Sequence, residues 1–148
     1  MLRALRRVAD LTLLEQAILL QFIAFSLCLK VALSVVSLPR LVSFLSGTRS
    51  HRVRKLVVFL QEDSEPAQLF PLIDLATRVS HGVGRCLPRS LLLFWLLHAN
   101  HRSVSVCLGV CKSLTALEAH AWVEQDGVVL GETVSFIERF TPVLRLPA

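Results

Sequence analysis

Apolar positions run almost without a break from Leu11 to Leu45. This stretch is read as packed core helices. A membrane span needs roughly 20 consecutive apolar residues, whereas the longest uncharged run, Gln16 to Leu29, has 14 and includes Gln16, Gln21 and Ser26 before Lys30 closes it. Pro39 is expected to end or kink the first long helix near Leu38, since it lacks the N–H and restrains the residue before it. Gly47-Thr48 is a stop for a second, short helix. Glu65-Pro66 looks like the next start, with Leu69, Leu72, Ile73 and Ala76 at helical spacing behind it. His81-Gly82-Val83-Gly84 then marks a turn. The run from Cys86 to Ala99 has few polar breaks and predicts a helix buried on most of its surface, with Pro88 in its first turn. Beyond it the pattern turns β-branched and partly alternating. It predicts strands at Ser103–Cys111, Glu118–Glu124 and Val128–Val134, the last two joined through Gln125-Asp126-Gly127. Residues 1–58 therefore form an apolar helical region, and residues 59–148 a mixed helix-and-strand unit.

Composition narrows the class. The 148 residues are 53% hydrophobic and 18% charged, apolar for an ordinary soluble chain, and the formal net charge is +5. Arg3, Arg6 and Arg7 open the chain, and Arg49-Ser50-His51-Arg52-Val53-Arg54-Lys55 is its most basic part. Such a balance suits an acidic peptide or a membrane surface. The basic run is read either as a solvated connector or as a docking surface for an acidic partner. Basic and aromatic residues are not interleaved as in a nucleic-acid module, so nucleic acid is not expected. Cys28, Cys86, Cys107 and Cys111 are irregularly spaced and make no secreted disulfide framework. Asp10 and Glu15 interrupt the approach to the apolar run, and no small-x-small site follows it, which argues against a cleaved signal. A cytoplasmic protein is expected, with peripheral membrane contact through the N-terminal helices as the alternative.

The candidate chemistry lies in two stretches, Cys86-Leu87-Pro88-Arg89-Ser90 and Ala119-His120-Ala121-Trp122-Val123-Glu124. A cysteine at a helix N-terminus feels the positive end of the helix dipole, which favours thiolate. Free N–H groups there can receive an oxyanion, and Arg85 and Arg89 would add positive potential. The bland alternative for Cys86 is a small buried hydrophobe. An imidazole on a strand facing that thiol supplies the base of a cysteine nucleophile site. Three carboxylates compete for the third role. A three-residue loop with Gly127 left-handed would set Glu132 opposite His120, at Cβ separations of ~5 Å. A two-residue Asp-Gly turn would put Thr133 there and send Glu132 to the other face. Glu118 shares the face of His120 but points along the strand, and Asp126 belongs at the hairpin tip. Trp122 shares that face too, either as core packing or as a shield over the histidine.

Cys86-Leu87-Pro88-Arg89-Ser90-Leu91, followed by His120-Ala121-Trp122-Val123-Glu124 and Asp126-Gly127, resembles the transglutaminase-like leader peptidases of lasso-peptide biosynthesis, in particular the separate peptidase half of the split type. The resemblance covers about residues 60–140. It implies a papain-like α+β fold, with a buried helix carrying Cys86 packed on an antiparallel sheet carrying His120 and a helical extension before them. It implies Cys86 as nucleophile, His120 as base and Glu132 at the acid position, where the family usually has aspartate. It also implies no cofactor or metal, and a cytosolic enzyme that removes the leader from a ribosomally made precursor of leader plus core. A separate small leader-binding protein would deliver that precursor, and an ATP-dependent macrolactam cyclase would take the core peptide.

Three rivals remain at this level. The same triad could transfer an acyl group to an amine, as an acyl transferase or transglutaminase does. His98, His101, Cys107 and Cys111 could hold a metal, although their spacing fits no zinc pattern. The apolar N-terminus could instead belong to a non-enzymatic membrane-associated binding module.

Overall fold

A computed structural model describes residues 12–47, 66–81, 84–112 and 116–147. The basic run 49–55, Glu65, Gly82, Val83 and the boundary at 58/59 lie outside the described residues.

Helix α1 (Leu13–Val35) opens with a reciprocal cap. The Thr12 N–H donates to the Glu15 carboxylate at 2.8 Å, and the Glu15 N–H donates back to the Thr12 hydroxyl at 3.3 Å. Glu15, an interruption when read along the sequence, is thus a helix signal. α1 ends at Val35, before Pro39, and Pro39 lies in the first turn of α2 (Leu38–Ser46). The proline opens a helix there and does not end one, because its missing N–H is one the first turn leaves free. A 3-10 turn (Pro66–Leu69) leads into α3 (Phe70–His81), whose first turn carries Pro71 in the same manner. Helix α4 (Cys86–Ala99) spans the residues its pattern predicts and is buried from Ser90 through Leu97.

The sheet has order β3-β2-β1-β4, antiparallel throughout, from β1 (Ser105–Lys112), β2 (Leu117–Gln125), β3 (Val128–Leu130) and β4 (Thr141–Pro147). A short helix α5 (Val134–Ile137) precedes β4. The strands depart from the sequence pattern in two places. β3 stops at Leu130, four residues before the predicted end. β4 was not foreseen, because it is an exposed edge strand with prolines at 142 and 147 and shows almost no buried alternation.

The sheet has two unlike faces. Val106, Leu108, Val123, Leu130 and Leu146 turn to the helices and join one core with Ile18, Phe22, Val42, Ile73 and the apolar length of α4. That core links the N-terminal helices and the α4–sheet unit without a break. Cys107, Trp122 and Val129 turn the other way, onto Ile137 and Phe140. His120 shares this second face, two residues from Trp122, whereas α4 lies on the first. Thiol and imidazole can therefore meet only around an edge of the sheet. The shortness of β3 leaves that edge open.

α1 is also long and apolar enough to cross a membrane by length and composition, a test that core helices pass as well. One side of it is core, with Ile18, Leu19, Phe22 and Leu29 at 5% exposure or less.

Candidate active site

Cys86 is the first residue of α4, and no side chain caps the helix there. One turn on, Ser90 is fully buried, and its hydroxyl donates to the Ala121 carbonyl at 2.8 Å. That bond exists because β3 ends at Leu130 and leaves Ala121 without a partner on that side. The Ala121 N–H, on the same open edge, points at the Cys86 sulfur. The helix start is thus stitched to the strand beside His120.

His120 lines the same cleft as Cys86 and favours its thiolate. Its Nε2, buried and otherwise unpartnered, lies 3.5 Å from Glu132 Oε1. Aromatic rings hold the imidazole in place. Phe136 meets it edge-on at 5.1 Å, Phe140 lies tilted at 5.2 Å, and Trp122 lies nearly parallel at 6.4 Å between centroids. Trp122 approaches this closely because Gly109 sits opposite His120 in β1. A Cβ on Gly109 would come within 2.7 Å of the indole.

Glu132 arrives by a route the hairpin reading did not contain. The turn is the tight two-residue one, Asp126 and Gly127 with φ of 50° and 82°, closed by the Gln125–Val128 pair. In a continued ladder that turn would send Glu132 to the face away from His120. The ladder does not continue. Gly131 has φ of 70°, a left-handed conformation that glycine adopts without a Cβ penalty, and turns the chain so that Glu132 swings back under the imidazole. Gly131, and not the loop at Gly127, decides the position of Glu132.

Arg89 holds this turn in place. Its Nη1 donates to Glu132 Oε1 at 2.8 Å and its Nη2 to the Gly131 carbonyl at 2.7 Å, with Nε 3.5 Å from Asp74. The guanidinium is closer to the carboxylate than the imidazole is. At rest, then, Arg89 fixes the carboxylate and Glu132 supports the histidine from that fixed position. By sequence alone Arg89 counts only as added positive potential for the thiol, and this role comes from its partners on other elements. A usable signal existed, since Cys86, Arg89 and Ser90 at i, i+3 and i+4 must share one helix face.

The other carboxylates are elsewhere. Glu118 is half exposed and pairs with Arg139 at 3.9 Å, while Asp126 occupies the exposed hairpin tip. Among the described residues no group of three or more His, Cys, Asp or Glu side chains converges on a metal position. Of the rival metal set, His98 contacts the Ser46 carbonyl at 3.0 Å and Cys107 is buried in the sheet.

The electrostatics follow from these contacts. The His120 hydrogen bond, helped by the Ala121 and Leu87 N–H groups and the imidazolium charge, holds the Cys86 thiol below its ordinary value against the opposing effect of burial. The Cys86 hydrogen bond, then that of Glu132, pushes His120 up to about 9 although burial pulls it down. Glu132 is lowered by the His120 hydrogen bond first, then by the charges of Arg89, His120 and Arg85. These shifts all favour the charged forms, thiolate, imidazolium and carboxylate. These groups line a cleft of about 410 Å³ together with Asp74, Arg78, Arg85, Arg89 and Phe136. This arrangement can attack a carbonyl carbon and hand a proton to a leaving group.

The description of the transglutaminase-like superfamily fits residues 25–145. No curated protein and no solved structure gives a match.

Proposed function

The chain belongs to the transglutaminase-like superfamily, whose members are commonly cysteine enzymes, and from that premise we propose that it is a cysteine peptidase that removes the leader from a ribosomally made lasso-peptide precursor. The observation that carries the chemistry is the Cys86–His120 pair at the open edge of β2, backed by Glu132 at 3.5 Å. The choice of substrate rests on the sequence motif, Cys86 to Leu91 joined with His120 to Glu124 and Asp126-Gly127.

The Cys86 thiolate attacks the carbonyl carbon at the leader–core junction, and the oxyanion turns to the uncapped Cys86 N–H at the start of α4. His120 gives its proton to the core amine as the carbon–nitrogen bond breaks, and the leader is left as a thioester on Cys86. Neutral His120 then takes a proton from water, whose oxygen attacks the thioester carbon. The carbon–sulfur bond breaks, the leader leaves as an acid, and thiolate and imidazolium are restored. Glu132 holds the ring in orientation and stabilises its charge through both steps. A small leader-binding protein presents the precursor, and an ATP-dependent cyclase receives the freed core peptide in the cytoplasm.

Incubating the full chain with a candidate precursor and leader-binding protein, followed by mass spectrometry, tests this reading. The expected products are leader and core whose masses sum to the precursor plus one water. Cys86→Ala is expected to abolish them with an unchanged melting temperature, and persistent cleavage in that variant would end the proposal. A product joining leader to an amine identifies acyl transfer instead.

A further inference from the structure

We propose that Arg85 is a specificity-determining residue, placed to receive a carboxylate of the substrate within about two residues of the bond attacked by Cys86. The inference deepens the peptidase reading and rests on it for the identity of that bond. It comes from sorting the charges that line the cleft. Three arginines face it, Arg78, Arg85 and Arg89. Arg89 is committed, with its guanidinium 14% exposed and shared among Glu132, the Gly131 carbonyl and Asp74. Arg78 is committed to Asp74 at 2.6 Å and lies half in solvent. The Arg85 carbonyl accepts from the Arg89 N–H, but its guanidinium has no hydrogen bond or ion pair among the described residues, although the residue is partly buried against the same cleft.

Each anion lining the cleft is likewise taken. Asp74 serves Arg78 and approaches Arg89, Glu132 serves Arg89 and His120, and the thiolate serves His120. The Arg85 charge is nevertheless felt inside the site, since it helps lower Glu132. A guanidinium partly removed from water with no ion pair among the described residues is poorly satisfied, and its planar fork matches a carboxylate in two parallel hydrogen bonds. Because Arg85 precedes Cys86 directly, its side chain reaches about one or two residues along a substrate extended at roughly 3.3 Å per residue. Two sources offer the same group there, an acidic side chain beside the cleaved bond or the free C-terminal carboxylate of a short peptide.

The first test needs no native substrate. Iodoacetate and iodoacetamide both alkylate a thiolate, forming the sulfur–carbon bond as iodide leaves, and differ in carrying a carboxylate or a neutral amide. In the full chain, Arg85→Gln is expected to slow the reaction of Cys86 with iodoacetate by about tenfold relative to iodoacetamide, the loss of one charge-assisted contact. Arg78→Gln is expected to leave that ratio within about twofold, as for an arginine already paired in solvent. A ratio unchanged in Arg85→Gln, or shifted equally by Arg78→Gln, overturns the proposal. The ratio stays readable even if no precursor is cleaved, so failure of the peptidase reading and failure of this one are distinguishable.

The second test uses peptides cleaved by the wild-type chain, made with Glu or Gln beside the cleaved bond, each as C-terminal acid and amide. A Glu preference that survives amidation assigns the acidic side chain. A preference for the acid forms that is lost on amidation assigns the terminal carboxylate. Equal cleavage of all four overturns the proposal.

Discussion

At the scale of single residues, the acid position depends on a glycine more than on the acid itself. Gly131 carries φ of 70°, and a Cβ there would sit 3.3 Å from the Arg89 guanidinium and 3.4 Å from Leu93. Gly131→Ala is therefore expected to destabilise the fold by about 1–2 kcal/mol through the left-handed backbone alone, and to lower kcat by loosening Glu132 from Arg89. Thermal denaturation beside steady-state cleavage checks both parts. A variant as stable and active as the parent would remove Gly131 from the account. The Cys86 and His120 stretches were legible from residue type and local pattern, because a cysteine after a glycine-bearing turn and a histidine among β-formers are local signals. Arg89 was not legible in its true role. Its partners Glu132 and Asp74 lie far along the chain on other elements, and spacing on α4 says only which face it shares.

At the scale of elements, the site is made by a strand that ends early. β3 leaves Ala121 unpaired on one side, and α4 takes that place through Ser90 and Cys86. Ser90→Ala leaves the buried Ala121 carbonyl without its donor, a loss worth about 1–3 kcal/mol. Cleavage is expected to fall along with stability, since the same contact sets the approach of the thiol to β2. Unchanged stability by denaturant titration would show that water or another donor replaces the hydroxyl. Helix α4 was readable to its ends because its apolar composition and the first-turn Pro88 agree over Cys86–Ala99. The end of β3 was not readable from periodicity, since Val128 to Val134 contains the β-branched residues of a strand. Only the positive φ of Gly131 breaks the run, and a lone glycine in such a stretch signals a bulge as readily as a stop. β4 escaped for the complementary reason, an edge strand with prolines and little burial contrast.

At the scale of the whole molecule, helices and sheet share one core, and the site lies at its rim where two sheet faces meet an open edge. The outer side of α1 is a separate matter. Leu20, Val31 and Val35 are 67%, 66% and 78% exposed there, although the inner side of the helix is core. The sequence pattern showed an apolar segment without showing which side packs, because residues on both sides are apolar. Leu20→Gln with Val31→Gln is expected to change stability by no more than about 0.5 kcal/mol in thermal denaturation, as exposed sites do. A large fall in melting temperature would mean that this side is packed.

The central claim is a thiolate–imidazolium pair that Glu132 supports, and the pH dependence of Cys86 alkylation by iodoacetamide tests it most directly. Protonation of the sulfur on the acid side and loss of the imidazolium proton on the alkaline side bound the paired state. His120 is raised from 6.5 to about 9 and Cys86 lowered from its usual 9.0. Cys86 is therefore expected to react at neutral pH well ahead of the exposed Cys28, with a second inflection near 9. In His120→Ala the thiol loses its main stabilising contact, so the neutral-pH reaction should collapse and the profile move up towards that of an ordinary cysteine. A Cys86 that reacts no faster than Cys28, with the same profile whether or not His120 is present, would contradict the account.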